Sequence, residues 1–313
     1  MPPSPAEPAA LAASLTGLLG FPVTPFTDTA ELDLPRFEEH LDDMLQTGPG
    51  ALFVACGTGE FASLTPEEHR IVVRTAVARV GGAVPVLAGV GGGTRVAREY
   101  LLAAEDEGAD GALVLPPYLQ VGPQAGLLSH YRELLGATAL SLIPYQRATA
   151  VLAPETAAEL ARSERIVALK DGHGDIELLQ RIRTVTEGRL PLLNGMPTAE
   201  TSVRAYRAVG AAAYSSAVLA FAPAVATAFF AACERGDEDV QHELLREFYV
   251  PLTDLRNTTP GYAVALVKAG LEIRGRSAGP VRPPLADVSP EHKARLGRII
   301  DRGLAAARSA EAA

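Results

Sequence analysis

Lysine is the scarcest of the acidic and basic residues in this chain. Of 28 basic residues, three are lysines (Lys170, Lys268 and Lys293) and the rest are arginines. Arginine stays protonated in proteins and cannot act as an amine nucleophile, so the chain offers few places for amine chemistry. Cysteine is nearly missing too. Cys56 and Cys233 stand far apart, which argues against a disulfide framework and fits a reducing compartment, taken here as the cytoplasm. No apolar run is long enough to span a membrane. The opening stretch, MPPSPAEPAALAASL, lacks the positively charged start of a secretory leader. Residues 1–13, rich in proline and alanine, are expected to form a disordered arm. Net charge is −9 and no long block of like charges occurs, which speaks against nucleic acid as a partner.

Familiar ligand signatures are also missing. The run Gly89-Val90-Gly91-Gly92-Gly93-Thr94 does not meet the G-x-G-x-x-G pattern and lacks the Gly-Lys-Ser/Thr ending of a P-loop. It reads as a tight strand-to-helix turn. Asp171, His173 and Asp175 share one turn with no second ligand cluster to support them. They read as capping and loop-closing residues, and no metal or organic cofactor is expected. His40, His69, His130, His242 and His292 fall on predicted helices, at ends or faces expected to meet solvent, and no Ser-His-Asp arrangement can be read.

What is present is an alternation. Short apolar or β-branched runs are expected as strands at 17–23, 51–55, 84–88, 109–115, 139–143, 166–170, 190–193 and 211–215, each followed by helical periodicity. Thr65-Pro66-Glu67-Glu68 reads as an N-cap, a first-turn proline and the glutamate of a capping box. The alternation implies parallel strands joined by right-handed crossovers, and the count implies a (β/α)8 TIM barrel over 14–236. From 237 to 313 the pattern is helical, interrupted by a proline-rich link at 279–284. This predicts a C-terminal helical extension packed on the barrel.

Reacting groups in such a barrel cluster at the carboxyl ends of the strands. Those ends carry Gly57-Thr58-Gly59-Glu60, Tyr118, Tyr145 with Arg147, Lys170, Gly195 and Ser215-Ser216. Lys170 follows four apolar residues and precedes a glycine-broken polar turn. It is either a Schiff-base nucleophile, if burial or a neighbouring charge depresses its pKa, or a strand-end lysine with its head in water. Glu60 is expected to cap the following helix, Cys56 to be a small buried packing residue, and Tyr118 to pack at the barrel rim.

Taken together, Phe21-Pro22-Val23-Thr24-Pro25-Phe26, Gly57-Thr58-Gly59-Glu60, Tyr145 and Lys170-Asp171 resemble the dihydrodipicolinate synthase / N-acetylneuraminate lyase superfamily of Schiff-base barrels acting on 2-oxo acids. The resemblance spans about residues 15 to 310. Within it, Ala55 to Phe61, Leu169 to Asp175, Leu193 to Glu200 and Ala213 to Val218 resemble the decarboxylating 5-dehydro-4-deoxyglucarate dehydratases. The synthase branch has paired threonines where Gly57-Thr58 stands, Tyr-Tyr where Tyr118-Leu119 stands, and an arginine at the place of Ala150. These departures argue against dihydrodipicolinate synthesis. The dehydratase branch shows Tyr-Asn-Arg where this chain has Tyr145-Gln146-Arg147, and Asn-Phe where it has Ala220-Phe221.

The resemblance implies Lys170 as the imine-forming amine and Tyr145 as its proton carrier. Chemistry of that kind would use Thr58 and the N–H groups of the turn from Gly57 to Gly59 for the carboxylate beside the imine, with Gly195 as a further substrate-binding position. Arg147 is either the partner of the far carboxylate or a surface arginine after its strand, and Ser215 and Ser216 either meet substrate hydroxyls or pack the eighth strand. The substrate would be a small sugar diacid, handled without cofactor by a homotetramer or homodimer. Two other readings stand beside this one. The first is an aldolase that cleaves a 2-oxo-3-deoxy sugar acid and releases pyruvate. The second is a barrel that binds a sugar acid without turning it over, against which the strand-end set of Lys170, Tyr145 and Thr58 argues.

Overall fold

Eight short strands pair in chain order, and the last returns to the first. They are β1 (Leu18–Gly20), β2 (Ala51–Val54), β3 (Val86–Val90), β4 (Gly111–Val114), β5 (Ser141–Gln146), β6 (Leu169–Asp171), β7 (Leu192–Asn194) and β8 (Ala213–Ser216). Every neighbouring pair is parallel, β1 with β8 included. The computed structural model describes residues 6–211 and 213–312. The expected barrel is therefore the observed one.

Because the strands are covered on both faces, they read as continuous apolar runs rather than alternating ones. Their inward residues, among them Leu19, Phe53, Leu113, Ile143 and Leu193, fill the centre. The Phe21 and Phe53 rings stack there with centroids 4.6 Å apart. Outward residues meet a ring of helices: α2 (Leu34–Leu45), α3 (Pro66–Val80), α4 (Thr94–Asp106), α5 (Gln124–Ala137), α6 (Pro154–Leu160), α7 (Ile176–Val185), α8 (Val203–Ala208) and α9 (Pro223–Arg235). The start of α3 is the expected capping box. Glu68 N–H donates to Thr65 Oγ1 at 3.2 Å, and Thr65 N–H donates to Glu68 Oε2 at 2.9 Å. Such a cap contributes about 1 kcal/mol.

The expected C-terminal extension is helical: α10 (Glu238–Leu244), α11 (Val250–Arg256), α12 (Tyr262–Ile273) and α13 (Pro290–Ala312). A π-helical turn, Leu245–Tyr249, joins α10 to α11. Pro251 follows at once. It has no N–H to give the preceding turn, and the wider turn takes up that break. Helix α13 lies against α9 and α12. Among the described residues, no helix is long and apolar enough to cross a membrane.

Two expectations change. Residues 1–5 of the expected arm lie outside the described residues, but Pro8–Ser14 forms a helix, α1, with Leu11 only 1% exposed. Alanine and leucine are strong helix formers, and proline is well placed in the first turn. Leu11 sits at the start of β4, where a Cβ on Gly111 would come within 2.9 Å of its Cδ2. The open lower end of the barrel gives this segment something to bury against. The histidines differ as well, because His40, His69 and His130 are buried. Each has a partner inside: His40 Nε2 accepts from Val23 N–H at 3.3 Å, His69 Nε2 meets Gly89 O at 2.8 Å, and His130 Nδ1 meets Thr94 Oγ1 at 3.0 Å.

Candidate active site

The register of β6 sets Lys170 beside Tyr145 of β5 and Leu193 of β7. Alternation then points Lys170 inward and Leu169 and Asp171 outward. Lys170 is 5% exposed. Its Nζ lies 4.0 Å from the centroid of the Tyr145 ring and 4.7 Å from that of Phe21. Lys268 and Lys293 each pair with a glutamate, whereas Lys170 has no carboxylate at ion-pair distance among the described residues.

Glycine makes room for this amine. A Cβ at Gly195 would stand 2.7 Å from Lys170 Cγ and 2.9 Å from Asp171 O. Tyr145 donates its hydroxyl proton to Gly195 O at 2.9 Å and accepts from Arg147 Nη1 at 3.2 Å. The phenol thus has a donor and an acceptor in place beside the amine.

Asp171 works behind the strand. Its carboxylate accepts from Gln146 Nε2 at 2.6 Å, from His173 N–H at 3.3 Å, from Gly174 N–H at 3.0 Å and from the Tyr206 hydroxyl. Asp175 accepts from Leu178 N–H at 2.9 Å and caps α7. The polar turn is therefore loop-closing and capping, as its spacing implies. Gln146, one of the two departures from the dehydratase pattern, is fully buried in this outer layer and does not border the cavity. Ala220, the other, is also buried and away from the cavity lining.

Gly57, Thr58, Tyr145, Arg147, Lys170, Gly195 and Ser215 all border one cavity of about 260 Å³ at the carboxyl ends of the strands. The fold brings these seven together. Ser215 also donates to Asn194 O, at 3.4 Å. Tyr118 stands at the rim, 53% exposed. Cys56 is buried in the lining, and burial pushes its thiol up to about 12, so it is the inert packing residue expected. Glu60 is a correction. It adopts left-handed backbone, caps nothing, and lies 2.7 Å from Lys268 Nζ. Among the described residues, no three potential metal ligands converge.

Sequence reasoning missed the far wall. Helices α11 and α12 close one side of the cavity with Leu252, Val264 and Val267, and Arg256 at the end of α11 reaches it. No local motif marks Arg256. Glu200 borders the cavity as well; burial pushes its carboxyl up to about 7, and Oε1 accepts from Ser216 Oγ at 2.6 Å. An amine in an aromatic-walled well, beside a hydrogen-bonded phenol and in a cavity bordered by two guanidiniums, can condense with the ketone of an anionic substrate.

The sequence model of the dihydrodipicolinate synthetase family matches residues 14–302. The chain belongs to that family. It is 49% identical to a protein named "Probable 5-dehydro-4-deoxyglucarate dehydratase 1" from Streptomyces coelicolor, over 94% of this chain and 96% of the relative. Among solved structures, dihydrodipicolinate synthase from Oceanobacillus iheyensis superimposes with a TM-score of 0.87 at 26% identity, covering 94% of this chain and 98% of its own. A prophage protein of the same family from E. coli K12, solved in complex with pyruvate, gives 0.81 at 26% identity and covers 92% and 98%. The family therefore spans the barrel and nearly all of the helical extension.

Proposed function

We propose that the protein is a Schiff-base lyase that removes water and CO2 from 5-dehydro-4-deoxy-D-glucarate and releases 2,5-dioxopentanoate. The observation that carries this is the Lys170 amine, buried in the cavity against the Tyr145 ring with no carboxylate partner among the described residues. The name of the Streptomyces relative supplies the substrate. The pyruvate complex of the prophage protein supplies a precedent for a 2-oxo acid in this fold.

Lys170 Nζ adds to the C5 ketone and loses water to give an iminium. The positive nitrogen acidifies the C4 hydrogens, and Tyr145, left as a phenolate once its proton has gone to the departing carbinolamine hydroxyl, takes one of them. The enamine so formed expels the C3 hydroxyl as water. The iminium is now conjugated through C3 and C4 to C2, which bears the far carboxylate. When that carboxylate leaves as CO2, its bonding pair runs along the conjugated chain to nitrogen. A proton returns to C4, the enol at C2 becomes the aldehyde, and water hydrolyses the imine to free Lys170. One electron sink serves both eliminations. Thr58 and the N–H groups of the turn from Gly57 to Gly59 hold the carboxylate beside the imine. Gly195 leaves room for the adduct, Ser215 meets a substrate hydroxyl, and Arg147 takes the far carboxylate.

The test is mass spectrometry after incubation with substrate and borohydride, with CO2 release followed separately without reductant. An adduct on Lys170 together with CO2 is expected. An adduct without CO2 would move the reaction to an aldolase, and a folded protein that traps nothing would overturn the reading. Action in the cytoplasm as a homotetramer or homodimer is part of the same proposal. Two unpaired, buried cysteines are compatible with the first, and analytical ultracentrifugation measures the second.

A further inference from the structure

Arg256 ends α11, outside the barrel, yet it borders the cavity that holds Lys170. Its Nη1 donates to the hydroxyl of Thr198, on the loop after β7, and its Nε and Nη2 donate to Asn257 Oδ1 at 3.3 and 3.2 Å. The other arginine on the cavity, Arg147, follows β5 and gives Nη1 to Tyr145. Arg147 thus follows the strand on one side of Lys170, and Arg256 reaches the loop that follows the strand on the other side. Gly57 and Thr58 follow β2, across the barrel.

Neither guanidinium has a carboxylate at ion-pair distance among the described residues, although most arginines elsewhere in the fold do. Glu200 is the one acid bordering the cavity, and its carboxyl is engaged with Ser216. Burial, and then the charge of Arg147, hold Arg256 below its usual range. Two like charges facing one cavity repel unless an anion stands between them.

We propose that Arg256 is a specificity-determining residue that, with Arg147, clamps the carboxylate farthest from the imine and so selects diacids over monoacids. This rests on the Schiff-base reading of Lys170. Two guanidiniums give a carboxylate more donors in fixed planes than one can. They also stabilise the very group that must leave, so the clamp acts on binding more than on bond breakage.

The experiment compares wild type with Arg256→Met by borohydride trapping on Lys170 across concentrations of 5-dehydro-4-deoxyglucarate and, separately, of pyruvate, which has one carboxylate. The half-saturating concentration of the diacid should rise about tenfold or more in the variant, while that of pyruvate stays put. Arg256→Lys should recover part of the loss. An unchanged half-saturation for the diacid would overturn the clamp. So would a parallel shift for both compounds, since Arg256 would then act on the lysine or the fold. Wild type that traps neither compound would overturn the Schiff-base reading instead.

Discussion

Lys268 Nζ lies 2.7 Å from Glu60 Oε1, and the two side chains are 3% and 0% exposed. Lys268 also donates to Pro280 O at 2.8 Å and stands 4.1 Å from the centroid of the Phe26 ring. The second oxygen of Glu60 accepts from Arg282 N–H at 3.0 Å. This ion pair ties the turn that carries Gly57 and Thr58 to the proline-rich link before α13. Lys268→Met would leave the Glu60 carboxylate buried without its ion-pair partner, a loss of about 3–5 kcal/mol. Urea unfolding measures it. The double variant Glu60→Gln with Lys268→Met should be more stable than Lys268→Met alone.

Gly195→Ala should cost activity without unfolding the protein. The added methyl would meet the Lys170 side chain and the backbone behind it, displacing the amine by a fraction of an ångström. Turnover and borohydride trapping are expected to fall about tenfold or more. Trapping at the wild-type rate would show that the space over Lys170 is not needed.

Tyr145→Phe removes the hydroxyl that links Gly195 O to Arg147. If that hydroxyl carries the C4 proton, turnover should drop about a hundredfold or more, with imine trapping reduced far less. Near-normal turnover in a stopped-flow assay would take Tyr145 out of the proton path.

His40 makes the fold less stable in mild acid. Burial pushes its imidazole from 6.5 down to about 4, and Nε2 is occupied by the Val23 N–H. As pH falls from 6.5 toward 4, the unfolded chain takes up the proton and the folded one does not, so stability falls through that window. Above it, His40 costs nothing. The loss reaches up to about 3 kcal/mol. His40→Gln, whose amide oxygen can still accept from Val23, should flatten the dependence relative to wild type. Equal slopes for the two proteins between pH 7.5 and 4.5 would remove His40 as the cause.

The barrel and the residues at its mouth were legible because their signals are local. The Thr65 capping box and the apolar run into Lys170 are each contained within a few residues. Strand ends share a face of the barrel whatever joins them, so seven scattered positions could be assigned to one cavity. Long-range packing was not legible. Glu60 precedes a helix and looked like a cap, but its partner comes from the far end of the chain. Arg256 is one of many arginines, and only the return of α11 over the mouth sets it apart. The buried histidines sit on helices whose periodicity does not tell a hydrogen-bonded imidazole from a wet one.

With inward side chains filling the centre and α1 seated beneath the strands, Leu11 against Gly111, the barrel is a stoppered flask rather than a tube. Among the described residues, the Lys170 cavity has its neck at the carboxyl ends of the strands, and whatever reaches the amine passes there. In the proposed reaction, the aldehyde must clear that neck before the next diacid can enter. Traffic is therefore single-file, and accumulated product stands in the way of fresh substrate.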